Sequence, residues 1–180
     1  RGADEIVRAI VLLLGCSLAT VHQMQTDEET GREWLSLRNH SGIEERDVER
    51  ASVLELNSAS QIVKAFKTGE DQYVEDLQHS GLINFEYFSR SYNLRSMACF
   101  PLKIQGNIIG TFTLFRNRKQ GFTEEDRQLG RALSNIMATL VANQRQFARS
   151  QQEAQRRIRE LDILSGLSQR LVTIEDRNVL

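Results

Sequence analysis

Six side chains between residues 88 and 113 are of types that could line a pocket: Phe88, Tyr92, Arg95, Cys99, Thr111 and Thr113. Phe88 and Tyr92 lie one helical turn apart. With Phe85 and Tyr87 they form an aromatic cluster able to stack on a planar molecule, and Arg90 and Arg95 place positive charge nearby. An aromatic stripe at helical spacing is ordinarily core; the tyrosines and the adjacent arginines tilt this one toward a pocket wall. Cys99, Thr111 and Thr113 fall on one face of two apolar segments. Cys99 is the side chain best suited to covalent chemistry, although a half-buried strand cysteine is usually inert.

Other chemistries find no support. His22, His40 and His79 are far apart, and neither they nor Cys16 and Cys99 have the spacing of metal ligands. There is no nucleophile elbow or phosphate-cradling glycine loop. The sequence predicts no catalytic residues and no metal site, and it identifies no cofactor.

The elements that must position these residues follow from patterning. Residues 94–115 predict a β-hairpin with Gly106 and Asn107 at its tip. A three-residue loop, Gln105 to Asn107, would put Ala98, Phe100, Leu102, Ile104, Ile108, Gly110, Phe112 and Leu114 on a dry face. Cys99, Pro101, Lys103, Thr111 and Thr113 would then share the other. A two-residue turn would mix the two sets, so the first register is preferred. Upstream, Asp4 to about Leu14 predicts a helix with Ile6, Ile10, Leu13 and Leu14 on its apolar face. Strands follow over 16–25, 33–39 and 52–56, with a charged loop over 42–50. Ser58 and Gln61 have capping-box spacing for a helix that stops at Gly69. Gln72 to Val74 predicts an edge strand, and Leu82, Phe85, Phe88 and Tyr92 fall at helical spacing. Thr123 caps the last helix. The order is that of an α+β domain, a central antiparallel sheet flanked by helices. Leu13, Leu133, Ile136, Phe100, Phe112 and Leu114 are its expected core.

Length and composition agree with one domain and an appendage. The chain has 180 residues, 40% hydrophobic and 26% charged. Its 23 basic and 24 acidic residues give a net charge of -1, which argues against a nucleic-acid partner. Two cysteines suit a reducing, cytoplasmic setting. The apolar run Ile6 to Leu14 is too short to cross a bilayer, so no membrane contact is expected of this piece. A start at Arg1 suggests a fragment of a longer protein.

One stretch also carries a resemblance. Leu94-Arg95-Ser96, Pro101-Leu102, the pair Gly106 and Gly110, a strand, and then Phe122-Thr123-Glu124-Glu125-Asp126 opening a helix are similar in order and spacing to the second half of a GAF domain. The resemblance spans about residues 4–146. It implies a sensory module of a signalling protein, with an unidentified small molecule held near the aromatic segment. Features of the better-characterised GAF classes are missing: neither cysteine precedes a histidine as in bilin binders, two cysteines cannot supply the set used by methionine-sulfoxide-reducing members, and the cyclic-nucleotide signature cannot be traced.

Beyond the domain, residues 147–180 predict a helical coiled-coil linker. Ile136, Leu140, Phe147, Ala154 and Leu161 continue an apolar stripe, interrupted by Asn143, Ser150 and Arg157. About 40 residues of helix span roughly 60 Å, too long to bury on the domain alone, so a parallel homodimer is expected. The segment from Leu161 resembles the lead-in helix of another sensory domain; the alternative is the frayed tail of the coiled coil. The expected function is a GAF sensor module that passes ligand state down this helix to a histidine kinase, diguanylate cyclase or phosphatase domain. The alternative is a structural dimerisation module that binds nothing.

Overall fold

The computed structural model describes residues 2–80 and 86–177, with side chains as far as residue 161. Its elements are α1 (Gly2–Leu14), β1 (Leu18–Thr26), β2 (Glu33–Ser41), α2 (Glu45–Ala51), β3 (Val53–Glu55), α3 (Gln61–Thr68), β4 (Gln72–Val74), a 3-10 turn (Leu77–His79), α4 (Glu86–Ser91), β5 (Ser96–Ile104), β6 (Asn107–Arg116) and α5 (Glu124–Arg177). The strands make one six-stranded sheet in the order β3-β2-β1-β6-β5-β4, with antiparallel neighbours throughout. This is the expected α+β architecture. The chain divides into two units, Arg1–Val141 and Ala142–Leu180.

Alternation along β1 shows how the sheet serves two cores. Every residue from Leu18 to Gln23 is buried, as in a central strand covered on both faces. Ala19 and Val21 join Phe100, Leu102, Phe112 and Leu114 in the core beneath α1 and the start of α5. Leu18 belongs to the opposite core with Leu35, Ile62, Val63, Met97, Cys99 and Phe115.

The hairpin body has the expected register: Ala98 pairs with Leu114, Phe100 with Phe112 and Leu102 with Gly110. Its tip does not. Ile104 pairs with Asn107, so the turn is the two-residue step Gln105–Gly106. Both turn residues have positive φ, 49° and 82°, as a type I′ turn requires. Lys103 then faces Ile108 and Leu102 faces Gly110, which leaves Ile109 as a bulge. That one extra residue restores the two-faced segregation.

The two covering helices are rotated from expectation. In α1 the inward residues are Ala3, Val7, Ile10, Val11 and Leu14, whereas Leu13 is 71% exposed. In α5 they are Ser134, Met137, Ala138 and Val141; Leu133 is half-buried and Ile136 is 58% exposed. The reason lies at Gly130. A Cβ there would sit 2.3 Å from Phe100 Cζ, so the helix must turn its smallest residue toward the ring, and Ile136 goes outward.

Two local readings are also corrected. Residues 45–51 are helical, not loop, because Asp47 and Ala51 turn inward from an otherwise charged stretch. The α3 cap is Ser60, whose Oγ accepts from Ile62 N at 3.2 Å. The stop at Gly69 stands, with φ of 68° and its N–H donating to Ala65 O. Leu82 and Phe85 lie outside the described residues. So do the side chains of the second-domain lead-in beyond Leu161.

The start of α5 is held by a reciprocal capping box. Asp126 N donates to Thr123 Oγ1 at 3.2 Å, and Thr123 N donates to Asp126 Oδ2 at 2.9 Å. The same carboxylate receives both ends of the Arg116 guanidinium, at 2.7 and 3.1 Å. Arg116 also donates to Leu14 O and Gly121 O, and its side chain is only 3% exposed. Two stability predictions follow from these contacts. Gly130→Ala should destabilise the fold by roughly 1–3 kcal/mol in urea titrations, although alanine favours helix, because the added methyl overpacks Phe100. Asp126→Ala should cost about 3 kcal/mol by stranding a buried guanidinium, and pairing it with Arg116→Met should recover part of the loss.

Candidate functional site

The sheet face opposite α1 and α5 carries a cavity of about 290 Å³. β1 supplies its floor through Leu18, Thr20 and His22, and Phe115 of β6 lies beside them. The walls come from Ala51 of α2, Val53 and Leu54 of β3, Ile62 of α3 and Phe88 of α4. Most of this lining is apolar, as in small-molecule sites, and the volume is close to the small end of their usual range.

The polar atoms of the lining are the informative ones. Thr20 Oγ1, His22 Nδ1 and Ser58 Oγ are all shut off from solvent, and each lacks a hydrogen-bond partner among the described residues. A buried polar atom left unpaired costs about 1–3 kcal/mol, and these three belong to residues that line one cavity. The imidazole's state follows from geometry. His22 Nε2 lies 3.3 Å from Ala51 O. A carbonyl can only accept, so the proton sits on Nε2 and Nδ1 presents a bare lone pair. Burial holds the ring neutral by pushing its pKa down to about 4. A bulge places it: Val21 pairs with Asn39 but His22 with Leu37, so Arg38 is the extra residue on β2.

Aromatic residues on α4 and the residue after it close one side. Phe88 packs edge-on against Tyr87, at 5.4 Å between ring centroids, and stacks on Tyr92 at 6.0 Å. Both tyrosine hydroxyls donate to the buried carboxylate of Asp47, Tyr87 to Oδ1 at 2.8 Å and Tyr92 to Oδ2 at 2.6 Å. These bonds, that from Tyr92 foremost, hold the Asp47 pKa below its usual value. The Tyr92 oxygen also accepts from Glu44 N at 3.1 Å. One carboxylate thus joins α2 to α4 above the cavity, and Arg50 lies 3.9 Å from the Tyr87 ring centroid.

Of the six residues singled out in the sequence, Phe88 lines this cavity. Tyr92 stands behind Phe88, tied to Asp47. Arg95 donates to Gln78 Oε1 at 2.9 Å, beside the 3-10 turn. Cys99, Thr111 and Thr113 do face the cavity side of the sheet but are fully buried, because α3 packs across β5 and β6. Thr113 Oγ1 donates to Cys99 Sγ at 3.2 Å, and burial pushes that thiol up to about 12. The polar stripe continues one strand further: Thr113 pairs with Thr20, and Thr111 with His22. Thr20, His22 and Ser58 were missed. The available signal was the Leu18-Thr20-His22 alternation in a strand next to the threonine face of the hairpin.

A family model for the GAF domain matches residues 3–142. The chain belongs to the GAF domain family. No curated protein sequence matches it. The GAF domain of a phosphoenolpyruvate-protein phosphotransferase from Coxiella burnetii is similar in structure, with 15% identity, a TM-score of 0.68, and coverage of 81% of this chain and 83% of that one. A GAF domain/HD domain protein from Geobacter sulfurreducens matches at 17% identity and a TM-score of 0.60, covering 78% and 92%. A type II free methionine-R-sulfoxide reductase from Thermoplasma acidophilum matches at 17% identity and 0.61, covering 79% and 93%. At these identities the likeness shows the fold alone. Among the described residues of this GAF domain, no three His, Cys, Asp or Glu side chains are grouped to hold a metal, and no helix is long and apolar enough to cross a membrane.

The buried imidazole makes a pH prediction. Its folded pKa, near 4, lies below the ordinary histidine value of about 6.5, so the unfolded chain takes up the proton first. Stability should be insensitive to His22 above pH 6.5 and fall by about 3 kcal/mol between pH 6.5 and 4. His22→Phe should remove that slope in denaturation curves recorded across the range. Below pH 4 a separate loss should remain as Asp126, held at about 2 chiefly by Arg116, takes up its proton.

Proposed function

We propose that this GAF domain is a regulatory sensor module: a small molecule occupies the cavity over β1, and the first turns of α5 carry its effect toward an effector domain of a cytoplasmic signalling protein. The observation that carries this reading is the coincidence of a hollow, mostly apolar cavity with three unpaired buried polar atoms on its lining. A purely structural module has no need of either. A regulatory role is favoured over catalysis by the cysteines. Cys16 packs with the core under α1 and Cys99 with the opposite core, and burial raises both thiols. A histidine kinase, diguanylate cyclase or phosphatase is the expected kind of effector.

Screening nucleotides, haem and metabolite mixtures by thermal shift tests the sensor reading directly. A true ligand at 100 times its Kd should add about 2.7 kcal/mol of stability. Ligands that leave the transition unmoved while a dimer persists would favour the structural alternative.

The relay requires assembly, and we place it on α5 as a parallel homodimer. Ile136, Phe147 and Leu161 are 58%, 66% and 65% exposed on the chain alone, and closed two-fold pairing is the commonest way to cover such a stripe. Sedimentation should show reversible dimerisation. The double substitution Phe147→Glu and Leu161→Glu should leave a folded monomer, because unpaired charge in the seam is costly. A wild-type chain that stays monomeric at all practical concentrations would overturn the dimer.

A further inference from the structure

The cavity also constrains what kind of molecule can occupy it. Its lining residues carry one unpaired acceptor that cannot donate, His22 Nδ1, and two unpaired hydroxyls, Thr20 and Ser58, that can do either. The lining includes two charged side chains, exposed Arg50 and half-buried Glu55, and both are engaged away from the floor. The Arg50 guanidinium lies against the Tyr87 ring, and Glu55 is paired with Arg32. No formal charge therefore meets a ligand at the floor. A charged group brought there would lose its hydration without a counter-ion, which is among the most costly events in a protein interior. The remaining walls, with Leu18, Ile62, Phe88 and Phe115 among them, reward apolar surface. About 290 Å³ is the space of roughly ten waters, which sets the size at about ten non-hydrogen atoms.

We propose that the cavity takes an uncharged, compact molecule with an apolar, ring-sized body and one polar edge, which gives an N–H or O–H to His22 Nδ1 and receives hydrogen bonds from Thr20 and Ser58. This rests on the reading of the cavity as a ligand site. His22 is then the specificity-determining residue. It selects for a donor on the ligand, because an analogue without one leaves the lone pair buried and unpaired in the bound state. Thr20 and Ser58 are less selective, since a hydroxyl adapts to either partner.

A matched set of four probes tests this on the unaltered chain: benzamide, N,N-dimethylbenzamide, benzoate and benzylammonium. They share a ring and differ in donor capacity and charge. Binding is read by NMR titration of cavity resonances. Benzamide should bind at least roughly tenfold more tightly than the other three, the difference expected for one buried hydrogen bond left unmade. In His22→Phe, benzamide should lose its advantage over the dimethyl amide while the ring still binds. Should that variant fail to fold, the comparison on the unaltered chain decides alone. Equal or tighter binding of the donor-less or charged probes would overturn the proposal and leave the cavity standing as a ligand site. Failure of all four to bind would overturn the proposal and count against the sensor reading itself.

Discussion

The domain turns on one buried guanidinium. Arg116 ends β6, and from there it reaches the last carbonyl of α1, the Gly121 carbonyl ahead of α5 and the Asp126 carboxylate in the first turn of α5. Its planar group lies 4.5 Å from the Phe122 ring centroid. A fixed fork of donors is suited to this junction, where a lysine would offer only a point charge. The geometry brings the end of α1, 102 residues away in sequence, to one point with the end of β6 and the start of α5. Asp126 serves as partner and helix cap at once, so the entry of α5 and its anchorage to the sheet are one event.

On the other side of the sheet, the cavity exists because its roof and floor are made differently. The floor is a central strand, where pairing with β2 and β6 and the bulge beside His22 fix Thr20 and His22. The roof is two short helices, α2 and α4, joined by hydrogen bonds from Tyr87 and Tyr92 to Asp47 as well as by apolar contact. Short elements cannot interlock as long helices do, and space remains between them and β1. Beneath α1 and α5, by contrast, the contact is close enough that Gly130 admits no Cβ.

What the sequence disclosed follows the same division. The hairpin body, the edge strand at Gln72, the stop at Gly69 and the cap at Thr123 were legible because each rests on local patterning or a single residue's conformational preference. The hairpin tip was not, since a bulge at Ile109 preserves the pattern whichever turn is used. Helix faces were misjudged by about one position: periodicity counts Ile136 and Leu13 as apolar but is blind to the ring of Phe100, which decides which side of α5 can approach. Helix α2 was hidden by its charge, and the buried Asp47 that justifies it finds its partners some 40 residues away. The polar face of the hairpin was assigned correctly. Which part of that face lies open was not, because that depends on where α3 rests.

The alternation along β1 has a further consequence. Thr20 and His22 belong to the cavity, while Ala19 and Val21, which alternate with them, face the opposite core. Neither alanine nor valine has a side chain that can pass a proton or continue a hydrogen-bond chain. To charge, this strand is an insulator. Whatever occurs at the floor can reach the α1 and α5 side through it only as a change of shape, a small displacement of backbone shared by both faces. Any signal that crosses it is mechanical.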